Sequence, residues 1–517
     1  MSKFDNTKPN VILISDHTDT LFMSKTFGPY KIARELRLVG YQVAVLHHAH
    51  IFSLDEIQEI LDKLISDKTL FVGINNMFYK SFTKVSEDKT YKGGKTFGPR
   101  ENGSILPHGK NKNFEIKSYI QALNPNCKMV LGGPMSYDGY ENKDFDYLVL
   151  GYADLSIVNL ANHLSTGELL VKSFKSIHGP IVINDATAEG FNFVNSRMSY
   201  EDYDCILPGE TLPLETSRGC IFKCAFCAYP LNGKKKFDYM KNQDLIYEEL
   251  MENYRRFNTT RYYFLDDTFN DSIEKVKMIY EVSKRLPFKL EYWAYIRLDL
   301  LAAHPETLDM IFESGLRAAL FGIESLNEET CKTIGKGMKR DRFISTLKYI
   351  RDHWGDETML HGTFIVGLPH ETIETATETL ELLISEDCPL DSWHVFPFHL
   401  ELISKRTSEF ASRIAKDPKS FGYYNIKPIE NIEYQYWEND HMNHTIADNI
   451  ASTYLGRGEN RKVDGFNSFQ IASLGTDLGY SRNKSRLEFD WHSVELLKEK
   501  RVEEYKQRFY NAFDIRK

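Results

Sequence analysis

The sequence predicts an α/β protein: an N-terminal doubly wound parallel sheet, then a partial (β/α)6 barrel, then an α-rich C-terminal region. Two observations predict this layout. Apolar runs of strand length alternate with stretches of helical period over residues 1–170, and again over residues 211–400. Beyond residue 400 the strand-length runs give way to polar, aromatic and charged stretches with helical patches.

In the first unit, residues 10–16 (NVILISD), 42–48 (QVAVLHH), 69–74 (TLFVGI), 128–132 (KMVLG) and 146–150 (DYLVL) read as strands. Residues 28–39 carry Ile32, Leu36 and Val39 on one helical face. Residues 54–66, 116–123 and a segment ending near Gly167 are the other helices. Parallel sheets of this kind bind ligands at the carboxyl ends of their strands. Gly132, Gly133 and Gly151 fall at such ends, where backbone without Cβ can approach a ligand; ordinary turn glycines are the alternative. The stretch from Lys80 to Lys112 is polar and rich in Gly and Lys, and reads as a solvated surface loop. Residues 171–210 have weaker periodicity and read as a linker.

The second series has candidate strands at 212–217, 261–266, 289–296, 318–324, 360–366 and 391–398. Helical stretches at 242–257, 272–286, 305–314, 342–354 and 372–386 lie between them. Six such units are too many for a second small sheet and suit an incomplete barrel over 211–400, with its chemistry at the strands' carboxyl ends. Residues 401–517 show helical patches near 443–454 and 492–511; the last is amphipathic, as a packing helix would be.

The formal net charge of −9 gives no general attraction to nucleic acid or anionic membrane. No apolar run approaches the roughly 20 residues that span a bilayer, and the N-terminus lacks a signal-peptide profile. A cytoplasmic location is expected. The seven cysteines are an odd, uneven set, which argues for metal or catalytic use rather than a disulfide framework. His17, His47, His48 and His50 have no acidic or cysteine partner at ligand spacing and read as packed or solvated.

Three cysteines, Cys220, Cys224 and Cys227, fall within eight residues directly after the strand LPLETS. Three thiolates on one loop can bind three irons of a 4Fe–4S cube. With no fourth cysteine nearby, one iron keeps an open position that can bind and activate another molecule. A zinc site would want four ligands, usually in two pairs, and a thioredoxin-like pair would leave Cys220 unexplained. A non-catalytic zinc or electron-carrier module is the remote alternative.

CxxxCxxC after a strand, with Phe226 before the last cysteine, resembles the radical S-adenosylmethionine (radical SAM) superfamily. The resemblance implies a 4Fe–4S cluster on Cys220, Cys224 and Cys227. It implies reductive cleavage of SAM to a 5′-deoxyadenosyl radical, fed by an electron donor such as flavodoxin or ferredoxin. It places Phe226 near the adenine. Asp266 or Asp267, in Phe264-Leu265-Asp266-Asp267, stands where many members carry Gly-Gly-Glu for the SAM ammonium, and capping the helix near Ser272 is the alternative role for Asp267. It gives Arg297 to the SAM carboxylate, with an exposed ion pair as the competing use. Glu324 and Ser325 resemble the ribose motif, and Gly367, in Phe364-Ile365-Val366-Gly367-Leu368-Pro369, the adenine-binding segment.

Residues 1–170 resemble the cobalamin-binding domain of one large subgroup, through Leu131-Gly132-Gly133-Pro134 and Leu150-Gly151-Tyr152-Ala153-Asp154. Many members carry Gly-Glu-Gly-Glu at the second site. The Asp-x-His-x-x-Gly signature is absent, since Asp16-His17-Thr18-Asp19 does not match it. The resemblance implies cobalamin as a further cofactor and methyl transfer to an unactivated carbon of a small-molecule or peptide substrate. A radical SAM enzyme of another reaction type, with a degenerate sheet, is the alternative. A methylthiotransferase would need three N-terminal cysteines, and only Cys127 and Cys205 lie upstream of the motif.

Overall fold

The structure, a computed structural model, describes residues 8–15, 24–75, 116–133, 145–176, 179–229, 231–234, 239–402, 410–429, 434–457, 465–480 and 491–515. The Lys80–Lys112 loop, Pro134 and the Asp16–Asp19 stretch lie outside these residues.

The first sheet has seven strands: β1 (Val11–Ile14), β2 (Val43–Leu46), β3 (Phe71–Asn75), β4 (Lys128–Gly133), β5 (Tyr147–Gly151), β6 (Ser173–Lys175) and β7 (Ile181–Asp185). Their order is β2-β1-β3-β4-β5-β7-β6, parallel except for β6. The chain reverses direction across the sheet between β1 and β3, the switch point where ligands of doubly wound sheets gather. The strands read as nearly unbroken apolar runs because both faces are covered. Ile12, Leu46, Val72, Met129 and Leu148 face one layer, and Val11, Val43, Val45, Val130 and Val149 the other. Each such fully buried side chain contributes about 1.5–3 kcal/mol relative to exposure.

Residues 171–210 are not simply a linker. β6 and β7 lie within them and complete the sheet, so the first unit extends beyond residue 170. Both strands escape periodicity for physical reasons. β6 is a three-residue, exposed edge, and β7 offers only Val182 and Ile183 as fully buried apolar residues.

The second sheet runs in sequential order, β8 (Leu212–Leu214), β9 (Arg261–Phe264), β10 (Glu291–Ile296), β11 (Leu316–Glu324), β12 (Met359–Val366) and β13 (Ser392–Pro397), all parallel. Helices Gln243–Phe257, Ile273–Arg285, Leu308–Glu313, Arg340–Trp354 and Ile373–Ile384 connect the strands. Two short helices, Leu298–Ala303 and Glu328–Ile334, were not evident from periodicity because neither exceeds seven residues. Inside the sheet's curve, Tyr263, Trp293 and Ala318 pack on Phe469 of the helix Gly465–Asp477, which fills the barrel near the strands' amino ends. The carboxyl ends stay available for chemistry.

The C-terminal region adds three antiparallel strands, β14 (Leu400–Glu401), β15 (Tyr424–Pro428) and β16 (Tyr434–Glu438), beside its helices. The last helix, Trp491–Phe513, returns to the first sheet. Tyr505, Phe509 and Tyr510 join its core, and Lys506 Nζ and Tyr510 Oη each lie 2.8 Å from Glu56. His47 and His48 are buried in this packing. Among the described residues no helix is long and apolar enough to cross a membrane.

Candidate active site

The cysteine loop follows β8. Gly219 makes the turn at φ +95°, where a Cβ would come within 2.6 Å of the Leu231 carbonyl. Backbone bonds from Cys220 N to Leu231 O (3.1 Å) and from Lys234 N to Cys220 O (3.0 Å) close the loop on itself. Two more tie its middle outward: Ala225 N donates to Ile334 O (2.9 Å), and Ile414 N donates to Ala225 O (3.0 Å).

Cys220 is buried, and Cys224 and Cys227 are partly exposed. Cys220 Sγ lies 3.4 Å from Thr268 Oγ1, and Cys227 Sγ accepts from Asn232 Nδ2 at 3.1 Å. Cys224 Sγ lies 3.5 Å from Arg297 Nη1. Burial pushes the Cys227 thiol up to about 11 and raises Cys220 as well, so metal must displace their protons. No three His, Cys, Asp or Glu side chains among the described residues converge on one point, as a single-ion site would require. Ligands of an iron–sulfur cube bind separate corner irons and stand apart.

The two adjacent aspartates at the end of β9 have different surroundings. Asp266 is fully buried and accepts from Thr216 N (2.9 Å), Ser217 N (3.0 Å) and the Thr216 hydroxyl, with Lys275 Nζ at 3.5 Å. It ties β9 to the start of the cysteine loop. Asp267 instead keeps Oδ2 buried with no hydrogen-bond partner. Burial and the neighbouring Asp266 push its carboxyl up to about 7. Ser272, not Asp267, caps the helix Ile273–Arg285.

Arg297 is buried rather than exposed. Its guanidinium lies 3.9 Å over the Phe222 ring and holds Asp299 through two bonds of 2.6 and 3.0 Å. Glu324 sits at φ +68°, with Lys336 Nζ 2.8 Å from Oε1. That lysine also lies 5.7 Å over the partly buried Phe226 ring. Ser325 Oγ donates to Glu371 Oε1 (3.1 Å), and Glu371 Oε2 accepts from Gly367 N (2.7 Å). Gly367 is fixed by packing, since a Cβ there would come 2.5 Å from Trp437.

Sequence reading missed Lys336 and Glu371. Glu371 follows the β12 end by five residues, a spacing that could have flagged it. Lys336 sits in Gly335-Lys336-Gly337, a turn that could have drawn notice. Burial pushes Glu371 up to about 7 from 4.5. A buried acid with a raised pKa stabilises fully below its unfolded value, and that contribution is lost as pH rises through about 7. The expected cost across this window is about 3 kcal/mol. Glu371→Gln keeps an acceptor for Gly367 N and removes the titration. Thermal melts at about pH 5 and pH 8 should show a smaller loss at the higher pH in the variant than in the parent.

The first sheet meets this site at the end of β5. Arg218, two residues before Cys220, donates to Asp154 Oδ2 (2.6 Å) and Glu215 Oε1 (2.8 Å). Tyr152 and Phe193 rings flank its guanidinium at 4.6 and 4.8 Å. This buried clamp was also missed, although Arg218 precedes the loop glycine directly. Of the candidate glycines, Gly151 has φ +85° and packs on Ala186 Cα, 2.6 Å from where its Cβ would stand. Among the described residues, a side chain at Gly132 at the end of β4 would meet nothing within 4 Å, and Gly133 has φ +123°. The remaining candidates cluster at the barrel's strand ends.

Residues 214–383 match the Radical SAM superfamily. The chain is 26% identical over 288 residues to an uncharacterised methyltransferase of Pyrococcus horikoshii, covering 52% of this chain and 60% of that protein. It is 24% identical over 178 residues to the bacteriochlorophyllide d C-12(1)-methyltransferase of Chlorobaculum tepidum, covering 34% and 38%. It thus spans less than two thirds of the length of either relative. A solved structure of the radical SAM methyltransferase TsrM from Kitasatospora setae, with cobalamin and a [4Fe-4S] cluster bound, is similar at TM-score 0.61 and 14% identity, covering 96% of this chain and 99% of that one. The cobalamin-dependent SAM radical enzyme OxsB, with aqua-cobalamin bound, is similar at TM-score 0.57 and 15% identity, covering 98% and 73%. These structural likenesses establish the architecture.

Proposed function

We propose, from the premise that residues 214–383 are a radical SAM superfamily domain, that the chain is a cobalamin-dependent radical SAM methyltransferase. Its substrate would be an unactivated carbon of a small molecule or peptide. One observation carries the reading: three thiols share one closed loop beside a buried arginine, next to a strand end whose carboxylate has an uncommitted oxygen. When bound, a 4Fe–4S cluster with SAM supplies one-electron cleavage to a 5′-deoxyadenosyl radical, and cobalamin supplies a methyl carrier.

In this reading Cys220, Cys224 and Cys227 hold three corner irons. Asp267, rather than Asp266, accepts from the SAM ammonium, because the oxygens of Asp266 are already committed. Arg297 offers its fork to the SAM carboxylate, with Asp299 holding it in place until then. Glu324 accepts from the ribose hydroxyls, and Lys336 orients it. Ser325, bonded to Glu371, stands beside Glu324 at the ribose, and Phe226 and Gly367 border the adenine. Gly132 and Gly133 would border a corrin at the end of β4, a Gly132 Cβ meeting none of the described residues within 4 Å, while Gly151 shapes the turn that carries Tyr152 and Asp154. A cytoplasmic location accords with an oxygen-sensitive cluster.

The test is anaerobic reconstitution with iron, sulfide and hydroxocobalamin, followed by SAM and dithionite. The reading expects about four irons per chain, bound corrinoid and 5′-deoxyadenosine. Deoxyadenosine without corrinoid would favour a radical SAM enzyme of another type, for which the self-sufficient packing of Gly151 already speaks. A colourless zinc protein would reject both.

A further inference from the structure

Arg218 has more partners than its own satisfaction requires. Glu215 alone matches the guanidinium fork to fork: its two oxygens accept from Nε at 2.8 Å and from Nη2 at 2.9 Å. Both residues stand on the short segment between β8 and Cys220. Yet Asp154, just beyond the end of β5 in the first unit, also accepts from Nη1 at 2.6 Å. All three side chains are buried. Two carboxylates on one interior arginine are a poor route to stability, because desolvating the charges offsets much of their attraction. Fixing one arrangement of the chain is the use that such a group serves better.

The network joins separate parts of the fold. Lys31, on the helix Phe27–Leu38, stands 3.7 Å from Asp154 and is itself paired with Glu35 at 2.9 Å. The rings of Tyr152, after β5, and of Phe191 and Phe193, after β7, close over the guanidinium at 4.6, 5.3 and 4.8 Å. At one end, only Gly219 separates Arg218 from Cys220. That turn has no slack: Arg218 N donates to Tyr239 O (2.8 Å), Cys220 N to Leu231 O (3.1 Å), and Gly219 packs against the same Leu231 carbonyl. A displacement of Arg218 therefore reaches the first cysteine. At the other end, Asp154 follows β5, whose Leu150 is paired with Gly133 of β4.

Resting on the cobalamin-dependent radical SAM reading, we infer that Arg218 is a positioning residue. Held by Asp154, it lets the ligand end of the first sheet set the place of the cysteine loop, so that corrin binding and cluster binding strengthen each other. A ligand seated at the ends of β4 and β5 steadies the turn that carries Tyr152 and Asp154; that turn holds Arg218, and Arg218 holds Cys220. Coupling of this kind is reciprocal, so each group tightens the other by the same factor. It also suits the chemistry, since a methyl carrier and a radical source borne by separate units must keep one separation.

The test uses the full-length chain with Asp154→Asn and Arg218→Lys. Asp154→Asn keeps the shape and one acceptor oxygen and leaves Arg218 its fork with Glu215, so it should melt as the parent does when both lack a cluster. Arg218→Lys keeps the charge and loses the fork. Hydroxocobalamin binding is titrated by absorbance before and after anaerobic cluster reconstitution. In the parent the cluster should tighten that binding about fivefold or more, and in both variants the ratio should fall to about one. Without corrinoid, a chelator should strip iron from either reconstituted variant about tenfold faster than from the parent, the scale expected when the support of a metal ligand is removed. Equal ratios and equal release rates in parent and variants overturn the inference. So does a variant that melts lower yet keeps the parent's ratio, which would make the network a fold element only. A parent that binds no corrinoid refutes the cobalamin reading instead, and iron release then decides whether Arg218 positions the loop.

Discussion

Replacing Cys224 with alanine should abolish 5′-deoxyadenosine formation, by a factor on the order of 10³ or more, equivalent to ~4 kcal/mol of barrier, and leave the fold standing. The two halves of the prediction have separate grounds. Cys224 is partly exposed, and its nearest polar contacts are long, 3.5 Å to Arg297 and 3.9 Å to Gly335 O. Truncating it costs little packing, within the range of about 0.5 kcal/mol typical of surface changes. In the account it is nonetheless one of three corner ligands, and two thiols do not define a cube with one open iron. Product by chromatography, iron by colorimetry and a thermal melt measure the three quantities together. A variant with full activity, or one that unfolds, would contradict it. The same substitution at Cys220 is a poorer test, because Cys220 is buried and its removal confounds packing with ligation.

The second large effect separates Asp266 from Asp267. Asp266→Ala should destabilise the protein by about 2–5 kcal/mol, because it leaves two backbone N–H groups and the Thr216 hydroxyl without their acceptor in the interior, while Lys275 keeps Asp271 at 2.9 Å. Asp267→Asn should leave stability nearly unchanged, since its carboxyl is disfavoured as a charge where it stands. It should weaken SAM binding by about tenfold, the scale of one charge-assisted hydrogen bond. Melting temperature and equilibrium SAM binding, measured on both variants, read the split. If Asp267→Asn binds SAM as the parent does, the ammonium is held elsewhere.

This pair also shows what was legible in the sequence. The strand end at Phe264-Leu265-Asp266-Asp267 was visible, and so was a carboxylate there. The choice between the two was not made, although strand alternation offers it. Tyr263 faces the barrel interior with Trp293, so Leu265 and Asp267 continue that face and Asp266 turns away. The six barrel strands were legible because each is a buried apolar run set between helices of ordinary length. β6 and β7 were not: β6 is a short exposed edge, and β7 offers only two fully buried apolar residues, Val182 and Ile183. Lys336, Glu371 and Arg218 stayed hidden for another reason. Each acts across long sequence separations, on Glu324, Ser325 and Asp154 respectively, and only folding brings those partners together. The Lys80–Lys112 stretch, read as a surface loop, lies outside the described residues.

The most direct measurement is electron paramagnetic resonance of the reconstituted, dithionite-reduced protein with and without SAM. The account places a vacant coordination position on one iron, so adding SAM should change the signal's g-values and line shape. A cluster signal that SAM leaves untouched, in protein that also makes no 5′-deoxyadenosine, would contradict it.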